Sequence, residues 1–202
     1  RVIRFIAFGF SVLSPALYVS IVAFHQELLP TAMLITIAAA AEGTPFPSIV
    51  EIMGMGLIFE ILREAGVRMP RSMGQAVSIV GALVIGQAAV SAGIVGAPVV
   101  IVVALTAIAS FVVTPQADVG TLLRFVFTIT AGILGLYGVA ILVYILVIHL
   151  TSLRSFGIPY FSPISPVNFT GWKDVFVRAP LTMMRDRPKN LEPVDSKRQN
   201  SK

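Results

Sequence analysis

The chain has no cysteine in its 202 residues. That excludes disulfides, thiolate metal sites and cysteine nucleophiles, and it leaves the redox compartment open. Histidine is scarce too. His25 and His149 stand far apart at expected helix ends, and no Ser-His-Asp, metal-ligand or phosphate-loop spacing accompanies them. No catalytic residue, metal or cofactor is assigned, and an enzyme is the least favoured class. Charge is also sparse: 12% of residues are Asp, Glu, Lys or Arg, about half of what a soluble domain carries. With 56% hydrophobic residues, a mean hydropathy of +0.88 and long uncharged runs, the composition predicts an integral membrane protein. The first residue is Arg1, and the first apolar run lacks a small-residue cleavage pattern, so a secretory leader is not expected. The chain reads as the C-terminal part of a larger protein.

The few charges are unevenly placed. Residues 1–150 hold six basic and six acidic side chains, and residues 151–202 hold nine and four, so the tail carries the whole net charge of +5. A basic flank after the last apolar run predicts a cytoplasmic C-terminus. Its basic residues are interleaved with Pro and Asp, which speaks against a nucleic-acid partner. The division expected is a transmembrane domain over 1–150 and a cytoplasmic juxtamembrane tail over 151–202. Phe156, Tyr160, Phe161 and Trp172 of the tail suit either the headgroup layer or a neighbouring domain, and the composition from Arg185 onward reads as disordered.

Residues 5–24 are long enough to span, since about 20 residues at 1.5 Å each cover the hydrocarbon core. Pro15 at the centre predicts a structural kink, with Ser11 and Ser14 near enough to help satisfy the freed backbone. His25 is read as a headgroup-region residue rather than a pH sensor. Residues 31–41 are apolar but too short to span, with Thr31 as a cap. Pro45 and Pro47 then break the chain before a helix over 48–65, where Ser48 and Glu51 form a capping box and Gly66 a C-cap. Two partial helices around a Gly/Pro break predict a broken or re-entrant element. The alternative has 48–65 or 31–62 crossing in full.

This element carries most of the chemistry. Glu60 and Glu64 share one side of its helix, with Arg63 adjacent, and Glu51 lies opposite Glu60. Glu51 is either the capping-box acid or the partner of another element. Glu60 and Glu64 either line an aqueous path that attracts cations or pair with Arg63, Arg68 and Arg71. These arginines form a basic elbow suited to headgroup anchoring. The next helix, 74–94, puts Gly74, Ser78, Gly81, Ala82, Ala88, Ala89 and Ala92 in one broad sector. Small residues there allow close helix packing. The sharper reading makes the same sector a pore wall, with Gln75, Ser78 and Gln87 as polar rungs, Ala82 on the small face, and Val80, Val84 or Ile85 as a dewetting gate.

Residues 98–113 give a further, slightly short span. Residues 122–150 give the longest helix, with Gly132, Gly135 and Gly138 as a close-packing series and Arg124 and His149 at the two interfaces. The expected fold is all-α and integral to the membrane. It has about four to five transmembrane helices, the broken or re-entrant element and the basic tail. Arg63, Arg68 and Arg71 on the outer side would then run against the positive-inside tendency.

The runs ILREAGVRMPRSMGQAVSIVGALVIGQAAVSAGIV, PALYVSIVAFHQELLPTAMLITIAAAAEGTPFPSIVE and LTSLRSFGIPYFSPISP together resemble the A-subunit family of GerA-type spore germination receptors, over residues 1 to about 188. The resemblance implies an endospore-forming bacterium, the spore inner membrane, and a cytosolic N-terminal domain ahead of Arg1. It also implies a transporter-like B subunit and a lipoprotein C subunit as partners, a response to small nutrients, and cation release. The A subunit of that family is thought to self-associate into a ligand-gated cation channel. One chain of about four spans does not easily enclose a pore, so a channel here requires a homo-oligomer. The competing function is a non-conducting nutrient-sensing scaffold packed against the transporter-like partner. A secondary transporter is third, since no internal repeat is visible.

Overall fold

The structure, a computed structural model, describes residues 2–69, 81, 84–113 and 116–167. The chain divides into two compact units, Ile6–Ala140, and Arg1–Phe5 with Ile141–Lys202.

Helices dominate the first unit. Helix α1 runs Val2–Phe24 and carries Pro15 inside it. A short 3-10 turn at Gln26–Leu28 leads to α2, Thr31–Glu42, and α3, Ser48–Arg68, follows. Helix α4 covers residues 84–91, and α5 is Ala97–Phe111. Helix α6, Ala117–Ser152, continues into the second unit. Two of these helices, α1 and α6, are long and apolar enough to cross a membrane. α2 and α5 are apolar but shorter.

The packing puts many small and hydroxyl side chains inside and many large apolar ones outside. The inner face of α5 presents Val99, Val103, Thr106, Ala107 and Ser110, while Ile101, Leu105, Ile108 and Val112 point outward. The outward face is thus the greasier one, the reverse of a helix in a soluble bundle. Small and hydroxyl residues at the contacts let helices approach closely and bond across. Ala16, Ser20, Thr106, Thr128 and Ala131 are all essentially inaccessible. Ser14 Oγ and Thr106 Oγ1 join α1 to α5 at 2.8 Å. α3 packs on α5, where Phe59 meets Phe111 edge to face at 6.2 Å between ring centroids.

The broken element is present: α2 ends at Gly43, and α3 begins after Pro45–Phe46–Pro47. Its ends differ from the sequence reading. Pro30 and Pro47, not Thr31 and Ser48, occupy the N-cap positions of α2 and α3, and neither makes a side-chain cap bond. Proline fixes the extended entry backbone itself, so the hydroxyl residue after it becomes the first helical residue. Gly66 lies inside α3, which runs on to Arg68. The serines near Pro15 also have other partners than the freed backbone. Ser11 Oγ donates to the Phe8 carbonyl, and Ser14 bonds to Thr106.

The largest departure is in α6. Gly135 has φ 63° and ψ −149°, so two helices meet there instead of one running through. That backbone region is almost exclusive to glycine. Space is short as well, because a side-chain carbon at Gly135 would stand 3.1 Å from Phe24 and 3.2 Å from His25 Cε1. Gly132 and Gly138 do serve close packing, against Ile49 and against Thr130 and Leu134.

Candidate functional site

Helix α3 distributes its charged residues over three environments. Near its start, Glu51 is buried, and its Oε2 accepts the Gly96 N–H at 3.0 Å. Gly96 is the N-cap of α5. The carboxylate thus lies at the positive end of another helix's dipole, where an anion is stabilised. Of the two roles open to Glu51, the structure takes the partnership with another element.

Two and a half turns on, Glu60 is the centre of a polar cluster. Its Oε1 pairs with Arg63 Nη2 one turn along the same helix, and its Oε2 accepts from Thr121 Oγ1 at 3.1 Å and from Arg124 Nη2 at 3.3 Å. Arg124 Nη2 also donates to Thr121 Oγ1 at 2.9 Å. Side-chain exposure is 22% for Glu60, 13% for Arg63 and 7% for Arg124. Asp118 stands 3.7 Å from Arg63 Nη2 but is fully exposed, so it adds little. Two guanidinium groups share one shielded carboxylate, and Arg63 Nη1 and Arg124 Nε have no hydrogen-bond partner among the described residues. The cluster ties α3 to α6 and holds an excess of positive charge.

Arg124 also borders two small crevices, each of about 10 Å³. Ser11, Ser110, Gln116 and Thr121 line the first; Pro15, Thr106 and Thr128 line the second. That volume is roughly the size needed for one water, and a water in either is a natural partner for the free guanidinium N–H.

One turn beyond Glu60, Glu64 Oε1 pairs with Arg68 Nη2 at 2.6 Å and accepts from Arg68 Nε at 2.8 Å. Both side chains are largely exposed, at 61% and 78%. Of the residues expected on the α4 helix, Val84, Gln87, Ala88 and Ser91 form an exposed face at helical spacing, with Ile85 half-buried behind it. This face mixes bulky and small residues, so it does not coincide with the small-residue sector read from the sequence. Gly81 packs on Leu62, and Gly86 on Val100. Arg71, Gln75, Ser78, Val80 and Ala82 lie outside the described residues. Among the described residues no group of three or more acidic or histidine side chains could hold a metal.

Thr121 is not among the residues singled out from the sequence, and Arg124 is read there only as an interfacial residue. The signal was there: Arg124 is a lone cation at the edge of an uncharged run of 29 residues from Phe125 to Leu153, and an intramembrane charge needs a partner.

Comparison with known proteins gives the family. The model of the Bacillus/Clostridium GerA spore germination protein family matches residues 1–190. Spore germination protein KA of Bacillus subtilis is 50% identical over 202 residues, covering 98% of this chain and 37% of its own length. Spore germination protein GerLA of Bacillus cereus is 46% identical, with 96% and 40% covered. An uncharacterized membrane protein of Bacillus subtilis, YfkQ, is 49% identical, with 93% and 37% covered. The chain therefore spans about two fifths of the length of these curated relatives. No solved structure matches it. With the family model covering nearly its whole length, the chain belongs to the GerA family of spore germination proteins.

Proposed function

We propose that this chain is the membrane domain of a germinant receptor A subunit, and that several copies enclose a nutrient-gated cation path. The observation that carries the oligomeric part is the pair of crevices beside Arg124: they are water-sized and bordered by a cation, which repels the ions to be passed. A cation path between chains fits this better than one through these crevices. The exposed face of α4, with Val84 and Gln87, and the exposed Glu64 suit its wall, with Gln75, Ser78, Val80, Ala82 and Ile85 completing it. Glu60, also a path candidate from the sequence, is held by Arg63 and Arg124. In this reading it acts with Glu51, Arg68, Arg71, Pro15, Pro45 and Pro47 to couple the helices.

The domain would sit as a multi-pass unit in the spore inner membrane with its C-terminus cytoplasmic, and act with membrane lipid, copies of itself, a transporter-like B subunit and a lipoprotein C subunit. The engagement of Glu60 in an internal ion cluster also favours a second reading, a non-conducting sensing scaffold packed on the B subunit. Potassium release from spores after nutrient addition separates the two. The chain has no native cysteine, so Val84→Cys and Gln87→Cys can be blocked with a water-soluble thiol reagent, with Val99→Cys, buried on α5, as the shielded comparison. Path residues give release that stops on modification at unchanged receptor abundance. Unchanged release after modification at both exposed positions, together with loss of assembly but not of conduction in Ala82→Leu, assigns the domain to the scaffold.

A further inference from the structure

Two residues after the end of α6 the chain makes a hairpin. Arg154–Ser155 pairs antiparallel with Ile158–Pro159, Ser155 opposite Ile158 and Arg154 opposite Pro159. The Tyr160 N–H closes the pair on the Leu153 carbonyl at 2.9 Å. Only Phe156 and Gly157 form the loop, with φ of 51° and 82°. Positive φ at both central residues is the signature of the tight turn that matches strand twist, and Asn-Gly or Asp-Gly is the usual sequence for it. Gly157 fits that rule. Phe156 does not: a bulky side chain at positive φ is a steric outlier. Nor does the ring pack among the described residues, where Phe156 is fully exposed at 103%. A strained backbone holding an unpacked aromatic at a loop tip makes sense when the ring has a partner outside the chain.

We propose that this hairpin is a lipid-facing finger, with the Phe156 ring inserted at the boundary between headgroups and acyl chains of the leaflet in which α6 ends. The inference rests on the membrane reading of α6. The apolar run of α6 lasts through Leu150, interrupted by His149, and the helix ends at Ser152. Chain connectivity leaves the hairpin beside the headgroup layer, which is about 5–8 Å thick on each side. The neighbouring side chains fit that layer. Leu153 and Tyr160 are exposed apolar and aromatic groups, and Arg154 is exposed beside them. Aromatic rings with a cation favour the headgroup level, especially where the lipids are anionic. The two-residue turn adds a rigid geometry: it keeps the ring at the tip without the entropy cost of ordering a longer loop.

The test places tryptophan reporters in the 202-residue chain. Its single tryptophan is Trp172, so Trp172→Phe is the background. Phe156→Trp reports on the finger, and Tyr144→Trp, at an outward position of α6 that is 68% exposed, reports on the span. Both are reconstituted in vesicles of phosphatidylcholine and phosphatidylglycerol carrying bromine either near the headgroup end or near the methyl end of the acyl chains. The expected result is a blue-shifted Phe156→Trp emission, quenched several-fold more by shallow than by deep bromine, with Tyr144→Trp quenched by lipid as well. Water-like emission without quenching at 156 overturns the finger. So does blue-shifted emission without quenching, which would place the ring against protein. If Tyr144→Trp is also untouched by both lipids, the membrane reading of α6 falls and the finger falls with it. If only the 156 reporter is untouched, the span stands and the finger alone is wrong.

Discussion

Glu60 and Glu64 sit one turn apart on α3, and each has a basic partner within four residues. Glu60 meets the flank of α6. Its carboxylate is shared by Arg63, Thr121 and Arg124, and water reaches little of it. Among the described residues Glu64 pairs with Arg68 of its own helix, and both side chains are mostly in the open. The same residue types at nearly the same spacing therefore do different work. At position 60 the pair crosses between helices and is shielded, so removing one member strands a charge. At position 64 the pair is screened and local, worth a few tenths of a kcal/mol. The helix neighbour decides which acid matters, and that neighbour is 64 residues away in sequence.

Substitutions can break this contrast or sharpen it. The largest effect is expected from Glu60→Ala, which leaves the Arg63 and Arg124 guanidinium groups shielded without the carboxylate they share. Unfolding in detergent should show a loss of about 3–5 kcal/mol. Glu60→Leu combined with Arg63→Met and Arg124→Met should recover most of it, because no charge of the cluster is then left shielded. Glu51→Ala extends the comparison to a third glutamate of α3. It removes a charged acceptor from the Gly96 N–H, and about 1.5–3 kcal/mol should be lost in the same assay. Gly135→Ala asks whether the break in α6 is fixed by its backbone. A Cβ there meets Phe24 and His25 and is strained at φ 63°, so a loss of about 1–3 kcal/mol is expected. No loss would mean that α6 can run straight through this point. The smallest effect belongs to Glu64→Gln, at most about 0.5 kcal/mol, and it should vanish in high salt.

Much of the architecture was legible because composition and apolar run length state it directly. The helical class, the spans at α1 and α6 and the Gly/Pro break between α2 and α3 all follow from runs and breakers that act locally. The helix ends were harder. Ser48 looked like an N-cap with Glu51 as its capping-box partner, yet Pro47 sets the entry backbone and Glu51 reaches across to Gly96. That bond joins residues 45 apart, and no local pattern encodes it. Gly132, Gly135 and Gly138 look alike in sequence; only the fold shows two packing against side chains and the middle one breaking the helix. The Glu60 cluster was half legible. Its acid and Arg63 were on one helix face, but Arg124 was read as an interfacial residue because the facing of α6 toward α3 is a tertiary fact.

The central claim is that Glu60 locks α3 to α6, while Glu64 is a surface pair. The most direct measurement is a pair of double-mutant cycles in the assembled receptor, one between Glu60 and Arg124 and one between Glu64 and Arg68, read as unfolding free energies in detergent. The account expects a coupling of about 2 kcal/mol or more for the first and about 0.5 kcal/mol or less for the second. Equal couplings, or a larger one at Glu64, would contradict it.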